Sequence, residues 1–233
     1  MLHCVQKQEK ASSEGKKPMK PAPFRMLVKS IALSGLLITT GCSKPISSEL
    51  QQAYTTYATE IMQGHGHKAA KRVSQDTIEH YLSLRDTALE GGTPQGLYDE
   101  VSVYYLRAKF DDVSIAKLTG RDVMNVLAKA ELIGEKDFNE YTLSDIRYTE
   151  VEARADLVKG GETTPFEIRF TKEDGEWRVH PERFRAKRNE LLEKRIVTFE
   201  GQRDDVISEL LKMRGIDSGL TPALRQPLRQ PSG

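Results

Sequence analysis

The chain has 233 residues with 35 basic and 34 acidic side chains, a formal net charge of +1, and two cysteines. That balance lacks the clustered positive charge of a broad nucleic-acid binder, and two cysteines are too few for a disulfide scaffold. Apolar residues at 38% and charged ones at 30% supply one hydrophobic core, and no internal repeat is visible.

Residues 1–25 hold Lys7, Lys10, Lys16, Lys17, Lys20 and Arg25 with little apolar content, the composition of a disordered extension. Translation is expected to begin at Met26, or at Met19, which would leave that extension untranslated. From Met26 the order changes. One cation, Lys29, precedes an apolar run from Ile31 to Ile38, then small and hydroxylated residues, then Gly41-Cys42. This is the order of a secretory signal over 26–41, and the run is shorter than the ~20 apolar residues that span a bilayer. Gly41-Cys42 resembles the lipobox of bacterial lipoproteins. The resemblance implies cleavage before Cys42, lipidation of Cys42 with palmitate-type chains, and a membrane attachment through that residue. The competing readings are an uncleaved anchor and a chance apolar segment ahead of a cytoplasmic domain. Ser43, rather than aspartate, follows the cysteine. By the same resemblance this favours a cell-envelope location on the outer membrane, facing the periplasm, in a Gram-negative source. Seven of the 35 basic and two of the 34 acidic residues precede Cys42, so the part from Cys42 onward carries 28 against 32 and is net negative by about four. No nucleic-acid partner is expected. Some 190 residues suit one domain with an appendage.

Anchor and first helix occupy 42–72. Ser47 or Ser48 is expected to cap a helix reaching about Gln63, with Leu50, Tyr54, Tyr57, Ala58 and Ile61 on one face. Gly64-His65-Gly66-His67 breaks it. Ser74 caps a second helix with the stripe Ile78, Tyr81, Leu82, Arg85, Ala88 and Leu89, ended by Gly91-Gly92. Thr93-Pro94 predicts a third helix start. Leu97, Val101, Tyr104, Tyr105 and Ala108 line one side of that helix, and Val103, Leu106 and Phe110 the other. It is therefore expected to be buried on two sides. A short turn over 111–118 and a helix through Val123, Val126, Leu127 and Ala130 follow, closed by Gly134.

The period then changes from about 3.6 to 2. Residues 143–148 and 152–158 alternate out of phase with each other, which demands a tight turn over Thr149 to Val151. Gly160-Gly161 turns into Pro165 to Thr171 with Phe166, Ile168 and Phe170 inward, and Glu173-Asp174-Gly175 turns into a strand with Trp177 and Val179 inward. The fold class is α+β, with N-terminal helices packed on a curved antiparallel meander of about four strands. Thr164 to Val179, a long strand turning at Asp174-Gly175 into a Trp-bearing strand, resembles the last hairpin of NTF2-like (cystatin-like) domains. Gly120-Arg-Asp-Val-Met124 ahead of the sheet is similar to small NTF2-like lipoproteins of bacteria. The resemblance covers the domain 73–181. It implies a cone whose mouth takes a ligand or, in some members, an isomerase-type or hydratase-type active site.

Past it, Phe184, Leu191, Leu192, Ile196 and Phe199, then Val206, Ile207, Leu210 and Met213, predict amphipathic helices over 182–215. Leu192, Ile196, Phe199, Val206, Leu210 and Met213 fit a heptad seam with Arg203 at its one polar position. These helices either fold back onto the domain or take a protein partner. Residues 216–233, with Pro222, Pro227 and Pro231, are expected to be a loose tail.

Chemistry is sparsely signalled. No phosphate-binding loop, nucleophile elbow or HExxH is present. His65 and His67 are two imidazoles without a third ligand, so no metal site is assigned, and no cofactor. His80 is expected on a solvated helix face, and His180 at a strand end. The resemblance implies an acid or imidazole beside a Tyr in the cone, and the candidates are Asp86, Tyr104 and Tyr105, with Arg85 and Arg107 as pocket residues. Against catalysis stands an ordinary ion pair of Arg85 or Arg107 with Asp86 or Asp122. Three functions follow. They are an anchored, non-enzymatic binding module for a protein or a small apolar ligand, an enzyme of the cone, and an assembly protein acting through its last helices.

Overall fold

The computed structural model describes residues 45–134, 137–198 and 202–229. The signal segment, Cys42 and Phe199 lie outside the described residues. Those described form a mixed α+β body of eight helices and one open, four-stranded antiparallel sheet.

Helix α1 (Ile46–Met62) buries Leu50, Tyr54, Tyr57, Ala58 and Ile61, the stripe read from the sequence, but it begins directly after Pro45 rather than at a serine cap. Helix α2 (Gly66–Ala69) is a single turn. Helix α3 (Gln75–Glu90) starts where Ser74 Oγ accepts from Thr77 N at 3.4 Å and ends at Gly91 with φ 96°. Its buried face is rotated from expectation. Leu84 and Thr77 are buried with Tyr81, Ala88 and Leu89, while Leu82 and Arg85 are only half-buried. Packing on both α4 (Leu97–Lys109) and α6 (Gly120–Lys129) selects the face between those two neighbours.

Helix α4 is buried on two sides, as its pattern requires, yet it starts three residues after Pro94. The cap comes from far away: Asn189 Oδ1 accepts from Tyr98 N at 3.1 Å. Gly96 makes room for it, since a Cβ there would sit 2.6 Å from Asn189 Nδ2. Helix α5 (Asp112–Ile115) is capped by Asp111, and α6 by a reciprocal Thr119–Asp122 box.

Strands β1 (Tyr141–Tyr148), β2 (Glu152–Lys159), β3 (Glu162–Glu173) and β4 (Glu176–His180) pair in sequence order. The phase slip is absorbed at 149–151, where Thr149 N donates to Glu152 O at 2.7 Å. A bulge between Ser144 and Arg147, with Asp145 at φ 45°, adds curvature. Ala153, Ala155, Leu157, Ile168, Phe170, Trp177 and Val179 form the buried face against the helices.

Helices α7 (Glu182–Thr198) and α8 (Arg203–Lys212) fold back onto this body. The heptad expectation is corrected at α8. Ile207 and Leu211 point inward, Val206 and Leu210 are half-buried, and Met213 is 68% exposed. Arg203 is held by Glu100 at 2.7 Å and by Glu193, so it turns toward α4 and α7 and not into a seam.

The stretch after 216 also differs from its expectation of looseness. Leu228 N and Arg229 N donate to Ala88 O and Leu89 O at 3.2 and 2.8 Å. They satisfy carbonyls that the end of α3 leaves open. Ile216 is buried, and Leu220, Leu224 and Leu228 pack on the core.

Two glycines allow α6 to approach its neighbours: a Cβ on Gly66 would lie 2.2 Å from Asn125 Cα, and one on Gly120 2.2 Å from Ile78 O. Because both obstacles are backbone, Gly120→Ala is expected to lower unfolding free energy by about 1–3 kcal/mol. A urea midpoint equal to wild type would show that α3 and α6 are not in that contact.

Candidate functional site

Two spaces among the helices share part of their lining. The inner one is a cavity of about 40 Å³ lined by Tyr57, Tyr81, Asp99, Phe138, Phe184 and Arg185, among others. The outer one is a groove of about 540 Å³ with Ile61, Met62, Leu132, Ile133 and Leu210 as its apolar walls and Tyr98, Glu131, Arg188 and Arg214 as its polar ones. Tyr98, Leu132, Ile133, Gly134 and Arg188 line both. Arg188 is the charged member of this shared lining. Its guanidinium lies 4.3 Å from the Tyr98 ring centroid, donates to the Tyr98 hydroxyl at 3.0 Å, and donates to Gly134 O at 3.3 Å.

A charged cluster borders the inner cavity. Asp99, from the first turn of α4, is 2% exposed and faces His80 Nε2 at 3.4 Å and Arg185 Nε at 3.7 Å. Burial pushes its carboxyl up, but the bond to His80, the Arg185 charge and a backbone donor outweigh it and hold the group below the usual 3.8. Burial raises the phenols of Tyr57 and Tyr81, which stay protonated. Beside them Thr77 Oγ1 donates to Glu182 Oε1 at 2.7 Å, and His180 Nδ1 meets Glu182 Oε2. The bond to Glu182 raises the His180 pKa above 6.5, despite partial burial. In Glu182, desolvation is outweighed by bonds from His180 and Thr77, and the carboxyl falls below 4.5.

The five residues singled out from the sequence do not line either space. Arg85 pairs with its neighbour Asp86 at 2.5 Å and donates to Leu118 O at 2.7 Å, so the ordinary ion pair is what forms. Arg107 spends its guanidinium on the carbonyls of Thr87, Ala88 and Leu224 at 2.8–3.0 Å, fastening the final segment to the end of α3. Tyr104 donates to Glu100 at 2.9 Å, and Tyr105 packs beneath Lys109. His80, expected in solvent, has a side chain only 11% exposed and is corrected to a half-buried neighbour of Asp99.

His65 pairs with Glu60 at 2.9 Å and His67 lies 3.8 Å from Asp122, so the two imidazoles turn to different acids. No group of three or more His, Cys, Asp or Glu converges on a point among the described residues. Asp99 carried a usable signal. An acid in a helix with two apolar faces must meet a cation when it folds.

These pairs set a pH dependence. Asp99 and Glu182 have lowered pKa values, so their contribution is present above about 4–4.5 and is lost as pH falls through the folded values. His180 is raised, so its contribution is full below 6.5 and is lost as pH climbs through its folded value. Unfolding free energy is therefore expected to decline on the alkaline side of 6.5, and His180→Gln to flatten that decline. Asp99→Ala leaves Arg185 without its buried counter-charge and should cost about 3–5 kcal/mol at pH 7. An unchanged denaturant midpoint for D99A would contradict the buried pairing. Compared with known protein families, curated proteins and solved structures, the chain matches none.

Proposed function

We propose that this chain is a lipid-anchored protein of the cell envelope whose NTF2-like body is a non-enzymatic module binding a small apolar ligand in the outer groove. The observation that carries it is the difference in volume. Small-molecule sites occupy roughly 300–1,000 Å³, with apolar walls and a few placed polar groups. The outer groove, at about 540 Å³, meets that description. The inner cavity, at about 40 Å³, has room for only a few waters.

Size also weighs against the enzyme. Asp99 with His80 beside Tyr57 and Tyr81 is the acid, imidazole and phenol set that a cone enzyme needs, but the cavity of about 40 Å³ they border is too small for a substrate. Assembly through the last helices is weaker still, because Phe184, Ile196, Ile207 and Leu211 face inward and the exposed Leu191, Val197 and Met213 are scattered apolar residues. Support for the fold family comes from helices preceding a curved meander whose last hairpin turns at Asp174-Gly175. The anchor rests on the order of residues 26–43 and on Cys42. Two or more acyl chains at ~0.8 kcal/mol per buried methylene would hold the body at a leaflet.

Two measurements test this. The neutral fluorophore 1-aminoanthracene should bind the purified chain saturably, and Met62→Trp, which fills the groove from its half-open rim, should weaken it at least tenfold with the circular dichroism spectrum unchanged. Equal binding by the two proteins rejects the groove as the site. Cys42→Ser should abolish palmitate labelling and release the protein from membranes; retained label would place the lipid, and the anchor, elsewhere.

A further inference from the structure

On the outer face of the sheet one basic side chain from each strand falls in a single row. Arg147 on β1 stands opposite Arg154 on β2, Arg154 opposite Arg169 on β3, and Arg169 opposite His180 on β4. The row crosses three strand spacings of ~4.8 Å, about 14 Å in all. Directly opposed residues hold their Cβ atoms about 4.5–5.5 Å apart, and like charges so placed repel. Such a row needs carboxylates or another anion beside it to relieve the repulsion.

Intramolecular acids answer every member of the row except Arg154. Arg147 pairs with Asp145 at 2.8 Å and Asp156 at 3.6 Å, Arg169 with Glu167 at 3.3 Å, and His180 with Glu182 and, at 3.4 Å, Asp76. Arg154, in the middle and exposed, makes no ion pair or hydrogen bond with the described residues. Glu152 and Asp156, two residues to either side of it on β2, form no ion pair with it. The four basic residues line a groove of about 490 Å³ together with Asp76 and Glu152. Tyr148, Thr149 and Thr171 also line it.

We propose that this groove is a binding site for a phosphate-bearing anion, with Arg154 as its central ligand and Arg147 and Arg169 on either side. Planar guanidinium forks match phosphate oxygens two at a time, and a phosphate between adjacent strands would convert the repulsive row into an attractive one. The same chemistry is presented by a free phosphorylated small molecule and by a phospholipid head group. The site is separate from the outer groove under the helices and does not depend on what that groove takes.

Calorimetric titration with inorganic pyrophosphate, and co-sedimentation with phosphatidylglycerol-containing vesicles against pure phosphatidylcholine ones, separate the two sources. Saturable pyrophosphate binding, weakened at least tenfold by Arg154→Ala and only in part restored by Arg154→Lys, assigns a soluble phosphate. Arg154-dependent sedimentation with the anionic vesicles, without pyrophosphate binding, assigns a head group. Arg154 is exposed, so R154A should fold; its melting temperature without anion should equal or exceed that of wild type, and pyrophosphate should raise only the wild-type value in the first case. Absence of binding to both probes, or affinity unchanged in R154A, overturns the site.

Discussion

The contact on which the rest of the body depends is made by one ring. Phe138, in a short 3-10 turn between α6 and β1, is 1% exposed and touches Tyr54 and Tyr57 of α1, Tyr141 at the start of β1, and Phe184 of α7 at centroid distances of 5.0–6.4 Å. Phe184 in turn meets Phe166 of β3 at 4.7 Å. Helices before the sheet, the sheet, and the helix after it thus converge on a single aromatic knot. Burying such a ring contributes about 1.5–3 kcal/mol, and each well-placed aromatic pair adds ~0.5–1.5. The backbone is fastened at the same point, where the Tyr54 hydroxyl donates to Phe138 O at 2.8 Å. Without that knot α1 and α7 would lose their common support, and with them the walls of both spaces beneath.

Around the knot, helix ends are closed by groups distant in sequence. Asn189 of α7 caps α4, while Arg107 and the backbone of Leu228 and Arg229 close α3. Each supplies a donor or acceptor that local residues leave unmet. The C-terminal segments therefore complete the helical layer, and α7 delivers Phe184, Arg185 and Arg188 to one side of the pocket on successive turns.

Local patterns were legible and long-range ones were not. The stripe of α1, the Ser74 cap, the Thr149–Val151 turn and the inward Ile168, Phe170, Trp177 and Val179 all follow from period and turn chemistry, which act within a few residues. Phe138 stood outside any periodic run, so nothing nearby marked it as the centre. The start of α4 was misplaced because Thr93-Pro94 is a sound local signal that an amide 91 residues away overrides. Asp86 attracted notice for its place beside Arg85, whereas Asp99 and His80 became a pair only when α3 packed on α4. The row on the sheet was hidden for the same reason. Arg147, Arg154, Arg169 and His180 have irregular spacing in sequence and align only through the register, bulge included.

Charge compensation distinguishes what holds the fold from what is left to act. Inside, each charged group has an answer. Asp99 has His80 and Arg185, Glu182 has His180 and Thr77, and Arg188 has a ring, a hydroxyl and a carbonyl. A buried charge without such partners costs several kcal/mol, so folding itself requires these pairs and they need no further role. Outside, solvent screens a charge cheaply, and folding places no comparable demand on Arg154. Its position between two other guanidiniums is mildly unfavourable and unnecessary for the sheet, whose inner face is made of Ala153, Ala155, Ile168 and Phe170. Arg154 is thus the member of the row that neither packing nor an acid among the described residues claims, which is the observation behind the proposed anion site.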